Sequence, residues 1–277
     1  EEKKFSVIKK FAFSQKQFDE IIRFCKKIKI NYLFTAVSHD WIEYIKKKST
    51  TIKVASGDFN FNYLIESILK RKLNIIISTG ISDLQEIKKV LKKIKNNYKR
   101  SIYRKVILMH CVSNYPVENK EANILSVKYL KDKFGLVTGY SNHVKGIDAC
   151  LLSISMGARA IEFHFTDNKN RKFRDHRLSL DKSDLKKLIS TGNNFNILSG
   201  KYEKKVNSRL KKNLKILQKG IVASRFLNKN KILNKSDLTF ARPAKYYRAN
   251  DINKVIGKRL VANLKKGFLI KRNLLKK

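Results

Sequence analysis

Short apolar runs alternate with amphipathic segments through the first two hundred residues, and this rhythm constrains the fold more than any other feature. The runs "NYLFTAV", "TTIKVASG", "NIIIS", "KVILMHCVS", "LVTGYS" and "RAIEFHF" are rich in β-branched and aromatic residues and read as strands. Between them apolar residues recur at helical spacing. Phe18, Ile21, Ile22, Cys25 and Ile28 follow a capping-box pattern at Ser14 and Gln17; Leu84, Ile87, Leu91 and Ile94 follow a second one, read as Ser82-Asp83-Leu84-Gln85. Leu64, Ile65, Ile68 and Leu69 mark another helix, as do "WIEYIKK", "ILSVKYLKDKF", residues 146–156 and "SDLKKLI". The strands are apolar on both faces, as in a parallel sheet covered by helices.

A doubly wound sheet and a (β/α)8 barrel both fit this pattern. The polar residues favour the barrel. Thr35, Lys53 with Ser56, Ser78, Ser113, Ser141 with His143, and His164 fall at or just after the C-terminal ends of their strands. A barrel gathers such ends at one mouth, where barrel enzymes keep their active sites. After residue 200 the rhythm changes. Residues 201–213 are polar and charged and read as a linker or exposed helix. Residues 214–277 ("GIVASRFL", "LTFARPA", "RLVANL", "GFLI") read as a small, mostly β domain, near the lower size limit for independent folding. The expected organisation is therefore a barrel over 1–200, a linker, and a small domain over 214–277.

Lys and Arg number 63 against 22 Asp and Glu, a net charge of +41. The lysines lie on polar helix faces in every segment, not in one basic arm, and no aromatic platform accompanies them, which argues against a nucleic-acid partner. Such a field still attracts small anions. No apolar run is long enough to span a membrane, and "EEKKFSVIKKFAF" lacks the pattern of a signal peptide. Cys25, Cys111 and Cys150 are widely spaced among apolar neighbours and read as reduced, buried thiols. The expectation is a cytoplasmic protein without membrane contact.

In "GLVTGYSNHVKGIDACLLSISMGARAIEFHFTDNKNRKFRDHRLSL" two histidines close successive strands. With "KVASGDFNFNYL", "IIISTGISDLQEI", "LMHCVSNYP", "LTFARPA" and "IGKRLVANLKKG", this stretch resembles the sialic acid synthase (N-acetylneuraminate synthase) family in order along almost the whole chain. That family joins a (β/α)8 barrel to a C-terminal SAF domain similar to type III antifreeze protein. It condenses phosphoenolpyruvate with N-acetylmannosamine or a related amino-sugar aldehyde, giving a nonulosonic acid and phosphate.

The resemblance implies roles by position. His143 and His164 hold a divalent metal ion, Mn2+ or Mg2+. Thr35, Lys53, Ser56, Ser78, Ser113 and Ser141 bind phosphoenolpyruvate. Asp58, Tyr115, Asp175 and Arg242 bind the sugar, and Lys53 and Asp58 are the catalytic candidates. Arg242 reaches the barrel of a partner, which implies a domain-swapped homodimer. Three positions depart from the family's usual pattern: Asp58 stands for Glu, Asn142 for an Asp beside the first histidine, and "KFRD", with Arg174, for "PGPD". The family's first two strand–helix units would precede Glu1. The barrel is thus expected to be incomplete at its N-terminus and residues 1–277 alone to be inactive, and the alternative to a synthase is a non-catalytic carbohydrate-binding or assembly remnant. A phosphoenolpyruvate-dependent synthase lacking a SAF domain is disfavoured by the "ARPA" and "IGKRL" motifs.

Overall fold

A computed structural model describes residues 12–172 and 174–276. Most of the N-terminal stretch read above for a signal peptide lies outside the described residues, as do Phe173 and the side chain of Arg174. The chain divides into two compact units, 1–200 and 201–277.

The first unit is built on six parallel strands in sequential order: β1 Phe34–Thr35, β2 Thr51–Val54, β3 Asn74–Ser78, β4 Val106–His110, β5 Val137–Asn142 and β6 Ala160–Phe163. Helices connect them: α1 Gln15–Lys27 leads into β1, then α2 Ile42–Lys48, α3 Asn62–Lys70, α4 Leu84–Tyr98, α5 Leu125–Phe134, α6 Asp148–Ser155 and, after β6, α7 Lys182–Ser199. Short one-turn helices supplement these, among them Ile102–Lys105 ahead of β4.

Side chains alternate across the strands with period two. Ile52, Val54, Ile75, Ile77, Val106 and Leu108 face outward and are buried with Leu64, Ile65, Ile68, Leu91 and Ile94 of the covering helices. Lys53, Ile76, Met109 and Glu162 face inward and line a cavity of about 340 Å³ together with Leu33 and Thr35. The register pairs Thr35 with Lys53, Lys53 with Ile76, and Met109 with Gly139. A Cβ on Gly139 would fall on the Met109 sulfur and 2.6 Å from the Ala160 carbonyl oxygen, so the inward face has room only for glycine there. Lys53 reaches Glu162 at 3.2 Å. In a flat sheet, β2 and β6 would stand about 19 Å apart at roughly 4.8 Å per strand; the sheet is therefore curled as in a TIM-type barrel. Among the described residues β1 pairs only with β2 and β6 only with β5.

Local chemistry sets the helix starts. The Ser14 hydroxyl accepts from the Gln17 N–H, and the Gln17 side chain accepts from the Ser14 N–H at 2.8 Å. The second expected capping box does not form, and the cap falls one residue later. Asp83, not Ser82, caps α4, accepting from the Glu86 N–H at 2.8 Å. A carboxylate is the stronger acceptor at a helix N-terminus, and the Ser82 N–H is already committed to the Thr79 carbonyl in a turn. On α1, Ile22 is buried and Phe18 packs edge-on against Phe34 and Trp41, but Ile21 and Ile28 are exposed. Its apolar stripe is wider than the surface it covers.

The second unit opens with helix α8, Ser208–Leu217, capped by Asn207. The helix therefore occupies much of the expected linker and continues into the region read as β. β7 Gly220–Ala223 pairs antiparallel with β8 Leu238–Ala241, and β9 Arg259–Leu260 with β10 Leu275–Lys276. The expected strand "GFLI" is no ladder. It lies antiparallel to β7 about the bridge Val222–Leu269, with the Ala223 N–H donating to the Phe268 carbonyl and the Ile270 N–H to the Ile221 carbonyl, both at 3.0 Å, after a turn at Gly267, whose φ of +81° suits glycine. Ile221, Leu227, Leu233, Val255, Leu260 and Ile270 form its core. Asp237 is fully buried; Arg225 and the Asn234 turn hold its carboxyl below the usual range against the opposing cost of burial.

Candidate active site

The C-terminal ends of the strands converge on a cavity of about 260 Å³. Its wall carries Lys53 and Ser56 from β2 and its loop, Ser78 from β3, Cys111, Ser113 and Tyr115 after β4, Ser141 and His143 from β5, and Glu162 and His164 from β6. Lys53 and Glu162 also line the deeper interior cavity, so their ion pair is the floor between the two.

Strand parity explains the convergence. Ser141 and His143 are two residues apart, as are Glu162 and His164, and each pair continues one inward face. Ser141 pairs with Glu162 in register. The loops are tied down by backbone bonds: the Val117 N–H donates to the His143 carbonyl at 2.9 Å, which lays the Tyr115 ring 4.1 Å from the His143 ring. The Leu180 N–H donates to the His164 carbonyl at 2.8 Å, and this return brings Asp175 to 3.4 Å from His164 Nδ1.

The two imidazoles face one another with ring centres 5.4 Å apart. His143 Nδ1 donates to the Val112 carbonyl at 2.6 Å, which fixes the tautomer and leaves Nε2 with a free lone pair. Burial lowers the His143 pKa; the Val112 bond opposes this and the neighbouring His164 adds to it. Neutral imidazole is the form a metal requires. Two imidazoles on one first-row ion, at about 2.1 Å per bond, put their ring centres about 5 Å apart, so the observed pair fits. Among the described residues no group of three or more His, Cys, Asp and Glu is arranged to hold a metal.

The rest of the cavity combines a cation, hydroxyls and one carboxylate. Lys53 supplies a cation and four serines supply hydroxyls. Ser78 is buried, and its Oγ has no hydrogen-bond partner. One carboxylate oxygen of Glu162 is likewise buried and unpartnered. Buried polar groups left unpaired are costly, and here they border a cavity where a ligand oxygen or hydroxyl can satisfy them. Burial raises the Tyr115 pKa, and Cys111, Asp175 and Glu162 add to the rise, so the phenol keeps its proton.

Of the residues singled out from sequence, Lys53, Ser56, Ser78, Ser113, Tyr115, Ser141, His143 and His164 line this one cavity. Asp175 stands beside His164. Thr35 lines the deeper cavity with Lys53 instead. Asp58 ends the 3-10 turn Ser56–Asp58, half-buried and away from the cavity wall; burial raises its pKa. Arg242 follows β8 in the second unit, where its Nε donates to the Leu217 carbonyl at 2.6 Å. Asn142 does not bear on the histidines as expected. Its side chain turns outward and is consumed by its own loop, donating to the Val144 and Gly146 carbonyls and accepting from Tyr140 and the Val144 N–H. Glu162 and Cys111 were missed as cavity residues. For Glu162 the signal was available: it lies two residues before His164 in "EFHF" and must share its face.

A model of the NeuB family matches residues 1–204, and one of the SAF domain matches residues 218–276. The chain is 32% identical to the N,N'-diacetyllegionaminic acid synthase of Campylobacter jejuni over 273 residues, covering 98% of this chain and 81% of that one. It is 30% identical to the N-acetylneuraminate-9-phosphate synthase of Drosophila melanogaster over 189 residues, 68% of this chain and 50% of that one. Among solved structures it superposes on the N-acetylneuraminic acid (sialic acid) synthetase of Leptospira borgpetersenii, solved in complex with citrate. There the TM-score is 0.68 at 27% identity, over 73% of this chain and 69% of that one. With a parallel barrel sheet, a polar cavity at its strand ends and a C-terminal SAF unit, the chain belongs to the NeuB family.

Proposed function

We propose that this protein is a nonulosonic acid synthase that condenses phosphoenolpyruvate with the aldehyde of N-acetylmannosamine or a related amino sugar, releasing phosphate. The observation that carries the reading is the single cavity in which Lys53, four serine hydroxyls and the His143–His164 pair meet. Relatives named as synthases of legionaminic and neuraminic acids agree with the product class.

In this reading Lys53 and the hydroxyls of Ser56, Ser78, Ser113 and Ser141 bind the phosphate and carboxylate of phosphoenolpyruvate. Lysine serves as the point charge and the hydroxyls as donors. Thr35 extends this set from the deeper cavity. Tyr115, Asp175, Asp58 and Arg242 bind sugar hydroxyls and the acetamido group. Arg242 would be supplied by the partner in a homodimer, a role that rests on the family likeness. His143 and His164 would hold a divalent ion, Mn2+ in preference to Mg2+ because imidazole suits first-row transition metals. When bound, such an ion supplies Lewis acidity toward the aldehyde oxygen. The C3 carbon of phosphoenolpyruvate forms the new bond to the aldehyde carbon; water adds at C2, and phosphate leaves with cleavage of the C2–O bond. Holding the two substrates in one cavity supplies the orientation such a bimolecular step needs.

No helix among the described residues is long and apolar enough to cross a membrane, and a cytoplasmic location is part of the proposal. The test is phosphate release from phosphoenolpyruvate, with Mn2+, by protein purified from its full coding region. Release should require N-acetylmannosamine or a related amino sugar. Release at the same rate without sugar, or none with any amino sugar, would overturn the reading.

A further inference from the structure

Cys111 lies in the cavity wall, 4% exposed, with its sulfur 3.0 Å from the Ser56 hydroxyl oxygen. The same oxygen accepts from the Gly80 N–H at 3.0 Å. Gly80 is held close: a Cβ there would meet the Ser113 oxygen, the Cys111 sulfur and, at 2.9 Å, the Ser56 oxygen. The three groups thus close a tight triangle on the β2, β3 and β4 ends, with Ser56 facing the cavity.

The inventory of Ser56 decides what it can offer. A serine hydroxyl has one proton and two lone pairs. Gly80 occupies one lone pair. If the Cys111 S–H occupies the other, the Ser56 proton is left for the cavity. The opposite arrangement would aim the Ser56 O–H at sulfur and leave nothing but a lone pair toward an incoming anion. Oxygen is the better acceptor and O–H the better donor of the two groups, so an oxyanion in the cavity selects S–H to Ser56 and Ser56 to anion. Burial raises the Cys111 pKa and Glu162 adds to it; the hydrogen bond to Ser56, the nearby Lys53 and the Gly80 N–H, which also approaches the sulfur, only partly offset this, so the sulfur keeps the proton this requires.

We infer that Cys111 is a positioning residue for substrate binding: its thiol donates to Ser56 and thereby turns the Ser56 hydroxyl into a donor toward the anionic substrate. This rests on the proposed use of the cavity for phosphoenolpyruvate. Cys111 touches no reacting atom, and its effect passes wholly through Ser56.

The test is calorimetric titration of the full protein with phosphoenolpyruvate. Wild type is measured first; if it does not bind, the functional reading fails before the role of Cys111 is asked. Given wild-type binding, Cys111→Val, which keeps the shape but has no donor, should bind about tenfold more weakly, as expected for a lost hydrogen bond to a charged group. Cys111→Ser, which restores a donor, should bind within about threefold of wild type on the same scale. Ser56→Ala should weaken binding about tenfold, and Cys111→Val combined with Ser56→Ala should be no weaker than Ser56→Ala alone. Thermal midpoints separate unfolding from loss of binding. If the valine variant does not fold, the serine variant carries the test: a tenfold loss there, with a normal midpoint, overturns the proposal. Wild-type binding by Cys111→Val, or additive losses in the double variant, overturns it as well.

Discussion

Lys53 and Glu162 meet at 3.2 Å although β2 and β6 stand four places apart in the sheet. The pair records the curl of the barrel and also sets the charge of the cavity floor. In the free protein, part of the attraction of Lys53 for anions is cancelled by its neighbour.

This arrangement makes opposite predictions for the two partners. Lys53→Met should weaken phosphoenolpyruvate binding roughly 10- to 100-fold, the range for a lost hydrogen bond to a charged group. Glu162→Gln should instead tighten it by about threefold or more, because a like charge is removed beside the anion. Both effects should shrink with added salt. Weaker binding in Glu162→Gln, with an unchanged thermal midpoint, would show that the carboxylate does not oppose the anion.

The histidine pair makes a second prediction. Purified protein loaded with Mn2+ should retain close to one ion per chain after gel filtration, measured by mass spectrometry of the metal. His143→Ala and His164→Ala should each lose it. The Val112 carbonyl orients His143 by accepting from Nδ1; a His143→Gln variant, which has no imidazole, should also lose the ion. Full occupancy in both alanine variants would place the metal elsewhere.

The six strands were legible in the sequence because their runs are apolar, and β2 to β5 are largely buried. Ile52, Val54, Ile75, Ile77 and Leu108 must be apolar outside, and Ile76 and Met109 are apolar inside. The mouth of the barrel was legible because lysine, serine and histidine at apolar strand ends have few other reasons to be there. What was missed depends on geometry that local pattern does not carry. The run "NYLFTAV" contributes just Phe34 and Thr35 to the ladder, although β2 offers the four residues Thr51–Val54. The Ser82 pattern lost to the stronger acceptor one residue on. Asn142 looked like a neighbour of the metal, but parity turns it away while turning Ser141 and His143 inward. Cys111 was read as no more than a reduced, buried thiol because nothing in "MHCVS" shows that Ser56, far away in the chain, abuts it. In the second unit, "ARPA" marked Arg242, yet no local pattern told that "GFLI" would lie against β7.

A third prediction concerns pH. His110 is buried, with Nε2 donating to the Ala122 carbonyl at 2.9 Å. Burial lowers its pKa, and the carbonyl bond only partly opposes this. In the unfolded chain it protonates near the ordinary value of about 6.5. The unfolded state therefore binds more protons between that value and the lower folded one, and stability rises with pH across this window. The contribution is fully present above about pH 6.5 and is lost as pH falls through the folded value. His143 acts in the same direction. The thermal midpoint of metal-free protein should fall between pH 7.5 and pH 5.5, and His110→Gln should flatten part of that fall. An identical slope in the variant would mean that His110 does not titrate differently on folding.

The most direct test of the central claim follows an isotope. Phosphoenolpyruvate labelled with 18O in the bridging C2–O position is incubated with protein, Mn2+ and N-acetylmannosamine or a related amino sugar, and both products are weighed by mass spectrometry. The account predicts a nonulosonic acid one three-carbon unit longer than the sugar, formed in equal amount with phosphate, and all of the label in the phosphate. Label retained in the organic product, or phosphate without a new carbon–carbon bond, would contradict it.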